Sequence, residues 1–139
     1  MRLPLSIHQL HETDHPKLIK LWQAAGDIEV RQTDTAEALA RFLYRNPTCN
    51  YAAYAGTRLV GAVLAGHDGW RGYLYHMAVK PDYREQGIGT KLVKAAVDAI
   101  KREGIPKVHC LVKRDNLIAQ QFWESCGFTF RDELFDYSL

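Results

Sequence analysis

A mixed, layered α/β (α+β) fold is what this sequence predicts, on three observations. Strand-like and helix-like runs are interspersed along the chain without strict alternation, which favours a mixed sheet over a doubly wound parallel one. Tyr51 to Ala55 and Arg58 to Gly66 flank Gly56-Thr57 and read as a hairpin, an antiparallel unit. Further on, a β-prone run from Tyr73 to Val79 meets a Pro-Asp turn, a glycine-punctuated loop and an amphipathic helical pattern.

The remaining elements follow in order. Residues 4–10 alternate loosely and read as a first strand. Asp14 is placed to cap a helix with Pro16 in its early turn, with Leu18, Ile19, Leu21 and Trp22 inward and Gly26 at its end. A polar loop from Asp27 to Thr33 precedes Asp34 and Glu37, which resemble a capping box opening a second helix. That helix turns Ala38, Leu39, Phe42 and Leu43 inward and stops at Asn46-Pro47. Past the hairpin and the Tyr73 to Val79 strand, Ile88, Leu92, Val93, Ala96, Val97 and Ile100 mark a third helix ending near Gly104. Val108 to Val112 reads as a short buried strand, and Asn116 to Cys126 as a fourth helix stopped by Gly127. Phe128 to Phe130 and Leu134 to Tyr137 read as two final strands.

Composition narrows the setting. The 139 residues, 47% apolar and 24% charged, suit a single water-soluble domain spanning 1–139. A formal net charge of +2 is too small to argue for nucleic acid or an anionic membrane surface as partner. No apolar run approaches a membrane span, and Met1-Arg2-Leu3-Pro4 opens without the apolar core of a signal peptide. Cys49, Cys110 and Cys126 are odd in number and lack CxxC spacing, so a reducing cytoplasm is the natural setting. His8, His11 and His15 straddle a strand and a helix start without a carboxylate partner, and no metal site is expected.

The segment from Val79 to Thr90 carries the most chemistry. Gly87 and Gly89 let the backbone turn and approach a ligand closely. The helix that follows aims its unpaired amides and its positive dipole end at the loop, which makes a phosphate or pyrophosphate site. Gly87-Ile88-Gly89-Thr90-Lys91 lacks the GxxxxGK[ST] spacing of a P-loop, and Leu92 stands where a dinucleotide fingerprint needs its third glycine. What remains is Arg84-x-x-Gly87-x-Gly89.

With Met77-Ala78-Val79, Pro81 and Tyr83 before it, this stretch resembles the signature of the GCN5-related N-acetyltransferase (GNAT) family, [Q/R]xxGx[G/A]. Downstream, Asn116, Ala119, Phe122, Glu124, Gly127 and Phe128 fall on that family's pattern NxxAxxFYExxGF. The resemblance is close from Tyr73 to Phe128. It implies a largely antiparallel central sheet of about six or seven strands, flanked by about four helices, with splayed central strands.

The resemblance also implies an acetyl-CoA-dependent N-acetyltransferase that acts by direct transfer to a primary amine in a ternary complex. The backbone of Met77, Ala78 and Val79 would pair with the pantetheine arm and supply the oxyanion donor near a strand bulge. The loop Arg84, Glu85, Gln86, Gly87, Ile88, Gly89 and Thr90 would hold the pyrophosphate. Asn116 would bond the pantetheine arm, and Phe122 and Trp123 would line it. The acceptor implied is a small-molecule or peptide amine, and homodimers through terminal strands are a habit of the family.

Two departures bear on catalysis. Trp123 stands where the family commonly has an acidic Tyr, and Tyr73 and Leu111 occupy the places where a Glu base can occur. A general acid or base is worth roughly 10²–10⁴-fold, while positioning can remove about 7–11 kcal/mol, so activity is still expected. Substitutes are Tyr73 and Tyr75 on one strand face, ordering a water, and His76, which alternation sends to the opposite face unless a bulge redirects it. Cys126 is a further proton donor to weigh, and Asp27 and Glu29 could recruit a cationic amine. A non-catalytic acyl-CoA-binding or sensing module is the alternative that these departures favour.

Overall fold

In a computed structural model, residues 3–139 are described; Met1 and Arg2, where the sequence shows no signal-like core, lie outside them. A five-stranded sheet runs in the order β1 (Leu5–Gln9), β2 (Tyr51–Ala55), β3 (Arg58–His67), β4 (Gly72–Val79), β5 (Val108–Cys110). The first four strands pair antiparallel and β5 joins β4 in parallel. Helices α1 (His15–Ala25), α2 (Ala36–Arg45), α3 (Ile88–Arg102) and α4 (Leu117–Ser125) cover the sheet.

The helices form where apolar spacing and caps agree. On α3, Ile88, Leu92, Val93, Ala96, Ala99 and Ile100 are buried along one face, and each large side chain so buried contributes roughly 1.5–3 kcal/mol. Leu18, Leu21 and Trp22 do the same for α1. Two caps differ from expectation. The Asp14 carboxylate accepts the His11 amide and the Tyr54 hydroxyl instead of capping α1. Thr35, not Asp34, caps α2, its Oγ1 accepting the Ala38 amide at 3.1 Å. Asp34 closes a separate 3-10 turn, Gln32–Asp34.

The sheet is smaller than the six or seven strands expected. Among the described residues, Phe128 to Phe130 and Leu134 to Tyr137 form no strand, and β5 stops at Cys110 instead of Val112. Their apolar pattern is strand-like, but a strand needs a neighbour to take its backbone hydrogen bonds. Phe130, Leu134, Phe135 and Tyr137 are exposed.

Each face of the sheet carries a core. Ala53, Val63, Ala65, Leu74 and Val79 pack with α3 and Trp123 of α4, and Ala52, Leu59, Ala62, Leu64 and Ala78 pack with α1 and α2. A β-bulge in β4 breaks the alternation. Ala62 pairs with Ala78 and Leu64 with Tyr75, so Val63 lies opposite both His76 and Met77. His76 takes a left-handed φ of 48°, uncommon for a residue with a side chain. As a result His76 shares the α1/α2 face with Tyr75, while Met77 and Val79 turn toward α3.

Candidate active site

β4 and β5 pair only over Gly72–Leu74 and Val108–Cys110. Beyond that the strands part, in step with the bulge, which bends and twists a strand. A cleft of ≈ 400 Å³ opens between Leu74, Tyr75, His76 and Met77 on one wall and Cys110, Leu111, Val112 and Lys113 on the other. Asn116, Ala119 and Trp123 of α4 close one side, and the segment from Asp27 to Asp34 closes another.

The head of α3 leaves its first amides without a side-chain cap. Lys80 leads through a 3-10 turn, Pro81–Tyr83, to Glu85 (φ 61°) and Gly87 (φ 79°), both left-handed. Gly87 has open space around its Cβ position, so its conformation is what calls for glycine. No side chain caps the helix, and its first intrahelical bond runs from the Lys91 amide to the Gly87 carbonyl. The amides of Ile88, Gly89 and Thr90 come before it and are available to a pyrophosphate. At Gly89 the constraint is steric: a Cβ would lie 3.0 Å from the Phe122 ring and 3.1 Å from the Met77 methyl.

Several side chains in and around the loop have protein partners. Arg84 donates from Nε to the Val79 carbonyl at 3.1 Å and from a terminal nitrogen to the Ala25 carbonyl at 3.2 Å. It ties the loop to the end of β4 and to α1. Gln86 donates to the Asp82 carbonyl at 3.4 Å. Phe122 sits beneath Gly89 and does not line the cleft, whereas Trp123 does, its ring packed edge-on to Phe122 and Phe128. Asn116 caps α4, its Oδ1 accepting the Ala119 amide at 3.0 Å, so the Nδ2 amide is what it offers a ligand.

The proton-transfer candidates separate as well. Tyr73 stacks between Tyr75 and His109 and stays out of the cleft. Tyr75 and His76 line it. Burial, then the neighbouring Tyr73, pushes the Tyr75 phenol above its ordinary range. Cys126 is not on the cleft wall, and burial raises its thiol too. Cys110 is on the wall, and burial pushes its thiol up to about 12.

Sequence reasoning missed Asp34, whose side chain is only 7% exposed. Its Oδ1 accepts His76 Nε2 at 2.9 Å, its Oδ2 accepts the Arg31 amide at 2.8 Å, and its carbonyl accepts His15 Nε2 at 2.7 Å. A separation of 42 positions between Asp34 and His76 left no local signal of this pairing. At the cleft mouth Glu29 pairs with Arg31 at 2.7 Å. That hydrogen bond and the Arg31 charge hold the Glu29 carboxyl below its usual range, with a smaller contribution from Lys113. Of the three early histidines, His8 lies against Ser6 and Tyr54 while His15 is held on Asp34.

The parting of two parallel strands thus lies beside a helix head that no side chain caps. The chain belongs to the acetyltransferase (GNAT) family, whose model matches residues 6–128. Among relatives, it is 32% identical to N-alpha-acetyltransferase 30 of Schizosaccharomyces pombe over 118 residues, 78% of this chain and 79% of that protein. It is 27% identical to acetyltransferase SG1711 of Sodalis glossinidius over 130 residues, 94% of this chain and 91% of the relative. The fold resembles the PaiA N-acetyltransferase of Thermoplasma acidophilum in complex with coenzyme A (TM-score 0.81, 22% identity, 94% and 92% of the two chains). It also resembles the aminoglycoside acetyltransferase meta-AAC0020 from an uncultured soil metagenomic sample (TM-score 0.75, 25% identity, 97% and 96% covered). The protein is an acyltransferase of the N-acetyltransferase kind.

Proposed function

We propose that residues 1–139 form one domain that binds acetyl-CoA and passes the acetyl group directly to a primary amine within a ternary complex. The observation that carries this is the parting of β4 from β5 immediately beside the uncapped head of α3. In this reading the donor's pantetheine arm adds alongside β4 at Met77, Ala78 and Val79, between them and Asn116 and Trp123. The pyrophosphate rests on the loop amides from Glu85 through Thr90, with Arg84 and Phe122 bracing that loop. The β4 amides near the bulge stabilise the charge that builds on the thioester oxygen.

Direct transfer is supported by Cys110, the thiol on the cleft wall. With its pKa raised to about 12 it stays protonated near neutrality and makes a poor acyl-accepting nucleophile. Of the three β4 groups weighed for removing the proton, Tyr75 and His76 line the cleft, and that function is drawn from these two. The acceptor is a small-molecule or peptide amine, in keeping with the names of the relatives, and the setting is cytoplasmic, without nucleic acid, membrane or metal. No helix among the described residues is long and apolar enough to cross a membrane. A homodimer is compatible with this reading.

Calorimetric titration with acetyl-CoA tests the donor site, and absence of binding rejects it. A thiol-release assay with polyamines, amino acids, aminoglycosides and peptide N-termini tests transfer. An acetylated product from any of them is the expected result. Binding without product from any would point to an acyl-CoA sensor instead.

A further inference from the structure

The geometry points to His76 Nδ1 as the atom that deprotonates the acceptor amine, with Asp34 as the residue that positions it. This rests on the acetyl-transfer reading above and deepens it. His76 lines the cleft with its side chain 29% exposed, and its Nε2 donates to Asp34 Oδ1 at 2.9 Å. A neutral imidazole carries one N–H, so spending it on Asp34 leaves Nδ1 as the acceptor nitrogen. Asp34 is itself held by the Arg31 amide on its other oxygen and by His15 on its carbonyl. The ring is clamped from a second side by Trp22, 1% exposed, at 4.8 Å between ring centres and 78° between planes.

The strained backbone belongs to this arrangement. Normal alternation would send His76 to the α3 face, away from Asp34; the bulge and φ of 48° bring it back to the side of Tyr75 and the segment from Asp27 to Asp34. A left-handed conformation in a residue with a side chain is retained where its surroundings over-determine it, and such sites concentrate at functional positions.

Elimination among the other groups facing the cleft leads to the same ring. Tyr75 beside it on β4 and Cys110 across the cleft are both held protonated by burial. Glu29 is paired to Arg31 and held below its ordinary range, which makes it a weak base. Asp27 also lines the cleft, but among the described residues it has no partner there comparable to the Asp34 carboxylate that orients His76. Arg31 and Lys113, the cations on the lining, have no basic atom to offer near neutrality.

The step balances as follows. The ammonium acceptor gives one proton to Nδ1, and the neutral amine forms its C–N bond to the thioester carbonyl as the C–S bond breaks. The second nitrogen proton passes through water to the departing thiolate, and the imidazolium returns its proton to solvent.

The test combines nitrogen NMR of the ring with kinetics, using the best amine of the panel. The parent should show the Nε2–H tautomer, and its kcat/KM should fall on the acid side. His76→Gly suits the left-handed backbone, so it should fold, bind acetyl-CoA within twofold of the parent and lose about 10²–10⁴-fold in kcat. It should also lose the acid limb, and added imidazole should restore turnover. Asp34→Asn should shift the ring toward the Nδ1–H tautomer and lower kcat more than it changes KM. A parent ring found as Nδ1–H, or a His76→Gly enzyme keeping the parental kcat and acid limb, overturns the proposal. Asp34→Asn with unchanged tautomer and kcat rejects the positioning role. A parent that releases no thiol with any amine, whatever its tautomer, rejects the transfer reading and the base with it.

Discussion

The head of α3 and the segment from Asp27 to Asp34 lie on opposite flanks of the same sheet and are built from different materials. The α3 head offers backbone: amides of Ile88, Gly89 and Thr90, a left-handed Gly87 and no side-chain cap. The other segment offers side chains, above all Asp34, whose two oxygens and carbonyl are each engaged. A backbone site suits a ligand part that is the same in every turnover, such as a pyrophosphate. A side-chain site can be re-specified residue by residue, which suits the part that differs between enzymes of one fold.

Four perturbations test that contrast, from the largest effect down. Trp22→Ala removes a fully buried ring beside His76 and should cost about 3–5 kcal/mol of stability in urea unfolding. If the donor half is independent of it, acetyl-CoA affinity should survive at temperatures where the variant remains folded. Cys110, raised to about 12, should react with iodoacetamide at pH 8 roughly a thousandfold more slowly than in the unfolded chain. The sign follows from the raised value: the folded thiol stays protonated until well above that pH. Alkylation at the unfolded rate, read by mass spectrometry, would mean that the branch point of β4 and β5 is open to water.

Next, Gly89→Glu should weaken acetyl-CoA about a hundredfold or more, near 3 kcal/mol, by placing negative charge at the helix head. Because a Cβ there also meets Phe122 and Met77, Gly89→Ala is the control for packing alone. Equal affinity of Gly89→Glu and the parent in calorimetry would remove the pyrophosphate from this loop. The smallest effect belongs to Asn116→Ala, which deletes the α4 cap and should lower stability by about 1 kcal/mol. A loss of acetyl-CoA affinity beyond the loss of stability would show the Nδ2 amide at work on the ligand.

How much of this was legible in the residues follows the same division. The hairpin at Gly56-Thr57, the α3 stripe from Ile88 to Ile100 and the Gly87-x-Gly89 loop depend on neighbours a few positions apart, so local pattern found them. The two last strands were over-read from the same kind of pattern, because Phe128–Phe130 and Leu134–Tyr137 show strand periodicity without a ladder. Arg84 and Phe122 also brace the loop, through the Val79 and Ala25 carbonyls and against Gly89, contacts that a motif does not announce.

By itself, then, the sequence determined the order of the main elements and the glycine loop at the head of α3, because propensity, periodicity and glycine spacing act over one or two turns of chain. Its two motifs carried the resemblance to the family. Only the tertiary structure decided the face on which His76 falls, the partner of Asp34 and the exclusion of Tyr73 from the cleft. The first two depend on one extra residue in β4 opposite Val63, while Tyr73 is kept out because it lies where β4 is still paired with β5, opposite His109. A register change of a single residue inverts which side chains share a face, and it takes effect only once both strands are paired.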